Sequence, residues 1–182
     1  MAKKKMMADV RTSAPPDVNS SDPGPVPTAA PPAKPVKGED LKLGDTAPEI
    51  DLLDQSGKRH RLEDYSGKGV VLFFYPQDET PGCTQEACDF KANYDKILKK
   101  RAVVLGVSPD SADSHKNFKK NHDLPFPLLV DDKNRLSKAY GVWDAKKGIR
   151  RSTFVIGEGG KISRIYRDVK VPGHVKTLLD AA

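Results

Sequence analysis

The sequence predicts an α/β protein: a mixed central sheet with helices on both faces. Two observations carry that prediction. Short apolar, β-branched runs alternate with stretches of helical spacing, the pattern of buried parallel strands joined by crossover helices. Near the C-terminus, two such runs are separated only by Gly157-Glu-Gly-Gly160, a hairpin signal that adds an antiparallel pair to the sheet.

In chain order, residues 1–40 are set apart by composition. Met1 to Lys37 is rich in Pro, Ala, Ser and Asp and holds no aromatic residue. Such a stretch cannot bury enough surface to offset its ordering entropy. Residues 1–40 are therefore expected to be a disordered Pro/Ala-rich tail, with polyproline II character from Pro23 to Pro35, and residues 41–182 the folded domain. Lys3-Lys4-Lys5 could open a signal peptide, but no apolar stretch follows, so secretion is not expected.

Ala47 to Leu53 and Lys58 to Leu62 read as two extended pieces joined by a turn at Asp54-Gln-Ser-Gly57. Gly69 to Tyr75 is β-branched and aromatic and is closed by Pro76; its core, Val70 to Tyr75, is the predicted central strand. Cys83 to Lys99 has helical spacing, with Ala87, Phe90, Tyr94, Ile97 and Leu98 as its apolar positions. Ala102 to Val107 is a second buried strand. Ser111 to His122 is a helix, capped by Ser111 or Asp110. Leu128 to Val130 is a short strand, and Leu136 to Tyr140 one or two helical turns. Thr153 to Ile156 and Lys161 to Tyr166 form the hairpin, and Val175 to Ala181 closes the chain as a helix.

The chemistry is concentrated between the first buried strand and the first helix. Tyr75-Pro-Gln-Asp-Glu-Thr-Pro-Gly-Cys-Thr-Gln-Glu-Ala-Cys88 contains both cysteines of the 182-residue chain. A helix beginning at Cys83 offers unpartnered N–H groups and the positive end of the helix dipole to the sulfur. Both favour thiolate over thiol, and thiolate is the nucleophile.

Pro76, Thr80 and Cys83 fit the pattern Pro-x-x-x-Thr-x-x-Cys and resemble the peroxiredoxins, thiol peroxidases that need no metal or haem. Cys88, with four residues between it and Cys83, is similar to the second cysteine of the bacterioferritin comigratory protein and peroxiredoxin Q branch. Asp-Leu-Pro-Phe126, Tyr-Gly-Val-Trp143 and Arg-Ser-Thr-Phe154 follow in the order of that family. The resemblance runs from about Leu41 to the C-terminus. It implies a thioredoxin-like fold, which the order of strands and helices also suits, and reduction of hydrogen peroxide and organic hydroperoxides with thioredoxin or a similar dithiol protein as reductant.

A peroxidase site must hold the thiolate, align the O–O bond and stabilise charge on the leaving oxygen. Cys83 is the expected nucleophile and Thr80 the hydroxyl on the same turn. Pro76 and Pro81 stiffen the loop and can screen the sulfur. The resemblance assigns the fixed positive charge to Arg151, three residues before Phe154; Arg150 is the alternative, since strand alternation sends one of the two toward the site and one away. Glu86 suits the helix dipole, and the resemblance adds it to the hydrogen-bond network of the site. Cys88 is read as the resolving thiol that condenses with a Cys83 sulfenic acid, although a core position in the helix would also accommodate it. Five helical positions separate the two α-carbons by about 7.5 Å along the axis. A disulfide needs roughly 4.4 to 6.8 Å, so the helix must unwind first.

The remaining features exclude rather than assign. A net charge of +6 is scattered beside acids, with no basic–aromatic stripe, so nucleic-acid binding is not expected. No apolar stretch approaches a membrane span. Two cysteines are too few for a secreted disulfide scaffold, and a disulfide oxidoreductase would use Cys-x-x-Cys. A redox-sensing or holdase role has only the tail in its favour. His60, His115, His122 and His174 lack metal-ligand spacing and read as solvated surface residues. A cytoplasmic monomer is expected, while the basic N-terminus leaves a nuclear or organellar address open.

Overall fold

The computed structural model describes residues 41–181, so the tail assigned to residues 1–40 lies outside the described residues. Strands β1 (Asp51–Leu53) and β2 (Arg59–Arg61) pair antiparallel around the Asp54–Gly57 turn. Asp54 Oδ1 closes that turn by accepting the N–H groups of Ser56 and Lys58. β1 is shorter than the apolar pattern suggests, because Pro48 has no N–H to give to a ladder. A single 3-10 turn, Leu62–Tyr65, follows.

Strand β3 (Gly69–Phe74) is the centre of the sheet and is buried almost throughout. The helical stretch after it is two helices rather than one, α1 (Pro81–Ala92) and α2 (Tyr94–Lys99). The break is at Asn93, whose side-chain amide donates to the Asp89 carbonyl at 3.0 Å. Asparagine side chains compete with the helical ladder in this way.

β4 (Ala102–Ser108), α3 (Ala112–Asn121) and β5 (Leu128–Val130) come next. Ser111 caps α3, its hydroxyl accepting the N–H of Ser114 at 3.2 Å. After α4 (Arg135–Ala139) the chain makes a small hairpin, β6 (Trp143–Asp144) with β7 (Gly148–Ile149), which no apolar alternation announces. Its turn is set by Asp144, which accepts the N–H groups of Lys146 and Lys147, and by Gly148 at φ 76°. β8 (Ser152–Ile156) and β9 (Ile162–Arg167) form the C-terminal hairpin, and α5 (His174–Asp180) ends the described chain.

The five-stranded sheet has the order β5-β4-β3-β8-β9. β3, β4 and β5 are parallel, whereas β8 runs antiparallel to both β3 and β9. One face buries Val71 and Phe73 against α1, α2, α5 and Phe118 of α3. The other buries Val70, Leu72 and Phe74 against α4 and the chain around Ile50. β4 must lie close to its neighbours, since a Cβ at Gly106 would come within 2.7 Å of the Leu128 side chain and 2.9 Å of the Phe73 ring. Two features of this topology place chemistry. α1 starts beyond the C-terminal end of β3, and pairing of Phe74 with Ser152 brings residue 151 to that same end.

Candidate active site

Cys83 occupies the third position of α1, whose first residue is Pro81 and whose N-cap is Thr80. Proline suits a helix start because its missing N–H would have no partner there. Cys83 is 1% exposed and belongs to the same buried cluster as Phe73, Phe90 and Phe126. Phe73 stacks on Phe90 at 4.6 Å and meets Phe126 edge-on at 5.7 Å; such pairs contribute about 0.5–1.5 kcal/mol each beyond area burial. The sulfur therefore belongs to a well-packed aromatic cluster, at a helix end whose first N–H groups have no intrahelical partner.

Arg151 covers the sulfur. Its Nη2 donates to Cys83 Sγ at 3.2 Å, and its Nη1 donates to Glu86 Oε2. Gly82 makes room, since a Cβ there would come within 3.1 Å of the guanidinium. Arg150 is exposed and pairs outward with Asp168 at 3.2 Å. Neither arginine belongs to a strand. They form the connection between β7 and β8, held on one side by Arg150 N–H to the Val142 carbonyl at 2.7 Å.

Glu86 lies one turn beyond Cys83 on α1, with its side chain fully buried. Burial pushes its carboxyl up to about 7, against the partial pull of Arg151. Its Oε1 is buried with no hydrogen-bond partner. Burial alone would draw Arg151 down, but Glu86 and Cys83 beside it raise it, so the guanidinium keeps its charge.

The other predicted site residues are arranged around this centre. The Thr80 hydroxyl donates to the Gln77 carbonyl at 3.2 Å, while its own carbonyl accepts the Thr84 N–H at 2.9 Å. Pro76, on the loop, and Pro81, the first residue of α1, are both exposed. Cys88 is partly buried on α1, and both cysteines are free. A cleft of about 390 Å³ with charged residues on its rim opens at Arg151, between Asp144, Lys147, Ile149, Arg150 and Asp168. A cavity of about 460 Å³ lies at the opposite end of the sheet around Gly69 and Leu178, and neither cysteine lines it or the cleft beside Arg151.

Three of the four histidines depart from the solvated surface reading. His60, His115 and His174 are buried, and each has a polar partner that makes burial tolerable. His60 Nε2 meets Asp54 at 2.9 Å, His115 Nδ1 meets Asp78 at 2.7 Å, and His174 Nε2 meets the Thr153 hydroxyl at 2.9 Å. Burial, with Arg151 nearby, pushes His174 down to about 4. Among the described residues no group of three or more His, Cys, Asp and Glu could hold a metal ion, and no helix is long and apolar enough to cross a membrane.

Comparison with known proteins agrees with this geometry. Residues 43–165 match the AhpC/TSA family. The chain is 46% identical over 146 residues to the peroxiredoxin Bcp of Bacillus subtilis, covering 76% of this chain and 93% of that protein. The structure of a cysteine-to-serine mutant of Xylella fastidiosa PrxQ is similar with a TM-score of 0.74 at 37% identity, over 77% of this chain and 94% of that one. A bacterioferritin comigratory protein of Xanthomonas campestris, described as having alkyl peroxide reduction activity, is similar with a TM-score of 0.72 at 36% identity, over 78% of this chain and 95% of that one. The mixed sheet, the strand–turn–helix around Cys83 and these matches together make the chain a member of the AhpC/TSA family of thioredoxin-fold peroxiredoxins, in the bacterioferritin comigratory protein and peroxiredoxin Q branch.

Proposed function

We propose that the protein is a thioredoxin-dependent peroxidase in which Cys83 reduces hydrogen peroxide and organic hydroperoxides and Cys88 resolves the product. The observation that carries this reading is the buried Cys83 sulfur at the first turn of α1 with Arg151 Nη2 at 3.2 Å.

The chemistry runs in three balanced steps. The Cys83 thiolate attacks one peroxide oxygen, the O–O bond breaks, and the leaving oxygen takes a proton to become ROH or water; Cys83 is left as sulfenic acid. The Cys88 thiol then displaces the hydroxyl, releasing water and forming an intramolecular Cys83–Cys88 disulfide. A dithiol protein finally exchanges with that disulfide and is itself oxidised. In the first step Arg151 supports negative charge on sulfur and then on the leaving oxygen, with donors already aimed and no reorganisation required. Thr80 can turn its hydroxyl from the Gln77 carbonyl toward the bound peroxide. The orphaned Oε1 of Glu86 offers an acceptor, or in the protonated acid a donor, at the edge of the site. The cleft beside Arg151 is the route proposed for the substrate, and Pro76 stiffens the loop that leads to Thr80 and Cys83.

Residues 41–182 are proposed as the catalytic domain of a cytoplasmic monomer, with the tail of residues 1–40 dispensable for turnover. No metal or haem takes part. The test is a coupled assay in which NADPH, thioredoxin reductase and thioredoxin supply electrons to the full chain with hydrogen peroxide, an alkyl hydroperoxide or a lipid hydroperoxide. Peroxide-dependent NADPH oxidation that requires thioredoxin supports the reading. Turnover with dithiothreitol but not with thioredoxin overturns the reductant, and no consumption of any peroxide overturns the peroxidase.

A further inference from the structure

The loop between β3 and α1, residues 75–80, carries Thr80 and leads directly to Cys83. Its two acidic residues are both gripped by α3. Asp78 is buried, and its carboxylate accepts from three side chains on two elements: the Tyr75 hydroxyl at 2.8 Å, the Ser114 hydroxyl at 2.7 Å and His115 Nδ1 at 2.7 Å. Its backbone N–H donates to Asp110 at 2.8 Å. Seven residues further on, and so on the same face two turns away, Asn121 at the end of α3 donates to Glu79 Oε1 at 2.8 Å and the C-cap residue His122 pairs through Nε2 with Glu79 Oε2 at 3.0 Å. Glu79 has φ 59°, a left-handed conformation that a non-glycine residue keeps only when its surroundings hold it there.

The inner clasp also has a defined proton. His115 is fully buried between the Tyr75 ring, Asp78 and β5, and its Nε2 faces the Leu129 carbonyl at 3.2 Å. A carbonyl only accepts, so Nε2 carries a hydrogen. Nδ1 and the Asp78 carboxylate must then share one proton between them. The ring thus bridges a strand of the sheet to the loop, and no rotation of the loop is possible without breaking that shared bond.

We propose that Asp78 and His115 are positioning residues for the thiol chemistry: the clasp on α3 fixes the loop so that Thr80 and Cys83 meet the peroxide in register with Arg151. The proposal rests on the peroxide reading of Cys83 given above.

The test uses the full chain and two rates. Reaction of Cys83 with hydrogen peroxide needs the O–O bond aligned; alkylation by iodoacetamide needs only the nucleophilic sulfur. Asp78→Ala and His115→Ala are expected to slow the peroxide reaction by up to about a hundredfold, the loss associated with misplacing a reacting group by about 1 Å, and to change alkylation much less. Asp78→Asn should rescue the peroxide rate, because its amide can donate to His115 Nδ1 while its oxygen still accepts from Tyr75. If the alanine variants do not fold, Ser114→Ala decides the matter by removing one hydroxyl at a half-buried position, with a several-fold slower peroxide reaction expected. Peroxide rates at the wild-type level in the folded variants would overturn the proposal, as would equal loss of both rates, which marks general loosening. A wild-type chain inert to peroxide would instead sink the parent reading, and this one with it.

Discussion

Arg151 bridges Cys83 and Glu86 with the two arms of one guanidinium, Nη2 on the sulfur at 3.2 Å and Nη1 on the carboxylate. The fork geometry is what allows both contacts at once; a lysine ammonium could not span them in the same way. The neighbouring Arg150 points to Asp168 and solvent.

Arg151→Ala should therefore slow the reaction of Cys83 with peroxide by about 10² to 10³, the loss found when one preorganised donor is removed from a charge-stabilising site. Arg150→Ala removes an exposed ion pair and should leave the rate nearly unchanged, since such pairs contribute little. Stopped-flow rates for the two variants check this, and the reverse order would mean that the guanidinium on the sulfur is not the activating charge.

Glu86 gives stability a pH dependence of known sign. Burial raises its carboxyl from 4.5 to about 7 in the folded protein, so between those values the native state holds a proton that the unfolded chain has lost. Stability attributable to Glu86 is complete below pH 4.5 and declines as pH rises to about 7, by up to about 3 kcal/mol. His174, pushed down to about 4, acts with the opposite sign over a similar range, so raw stability curves mix the two. The difference between wild type and Glu86→Gln isolates the carboxyl. Urea unfolding at pH 5 and 7.5 should find the wild type losing stability relative to the variant as pH rises; a flat or rising difference contradicts the assignment.

Cys88 stands five positions after Cys83 on α1, which keeps the α-carbons too far apart for a disulfide while the helix is intact. The intervening segment, Thr84 to Ala87, has no large apolar side chain but is anchored more firmly than that implies. Ala87 is fully buried and Glu86 is tied to Arg151. Unwinding must break that ion pair as well as the helix. Peroxide-treated protein should contain a Cys83–Cys88 disulfide by peptide mapping, and its amides from Cys83 to Phe90 should exchange faster with deuterium than in the reduced form. A disulfide-linked dimer would mean that resolution occurs between chains.

Much of the fold was legible because its signals are local. Val70 to Tyr75, the Gly157–Gly160 turn and the Thr-Pro-Gly-Cys83 helix start each declare themselves within a few residues. The break at Asn93 was not legible, since asparagine is tolerated in a helix and only its bond to Asp89 reveals the interruption. The β6–β7 hairpin has strands of two residues, too short for periodicity to register. At the site, alternation could not say which arginine faces Cys83, because both precede β8 and follow the path of a connection. The Asp78–His115 clasp joins residues 37 apart, and nothing near His115 in sequence marks it as buried.

In the proposed reaction, peroxide oxidises Cys83 itself. The most direct measurement is intact-mass and peptide analysis of Cys88→Ser after one equivalent of hydrogen peroxide, with a sulfenic-acid trap present. That equivalent should be consumed, and a single trapped sulfenic acid should appear on the peptide containing Cys83. Consumption of peroxide with Cys83 unmodified, or no consumption by a folded protein, would contradict that reaction.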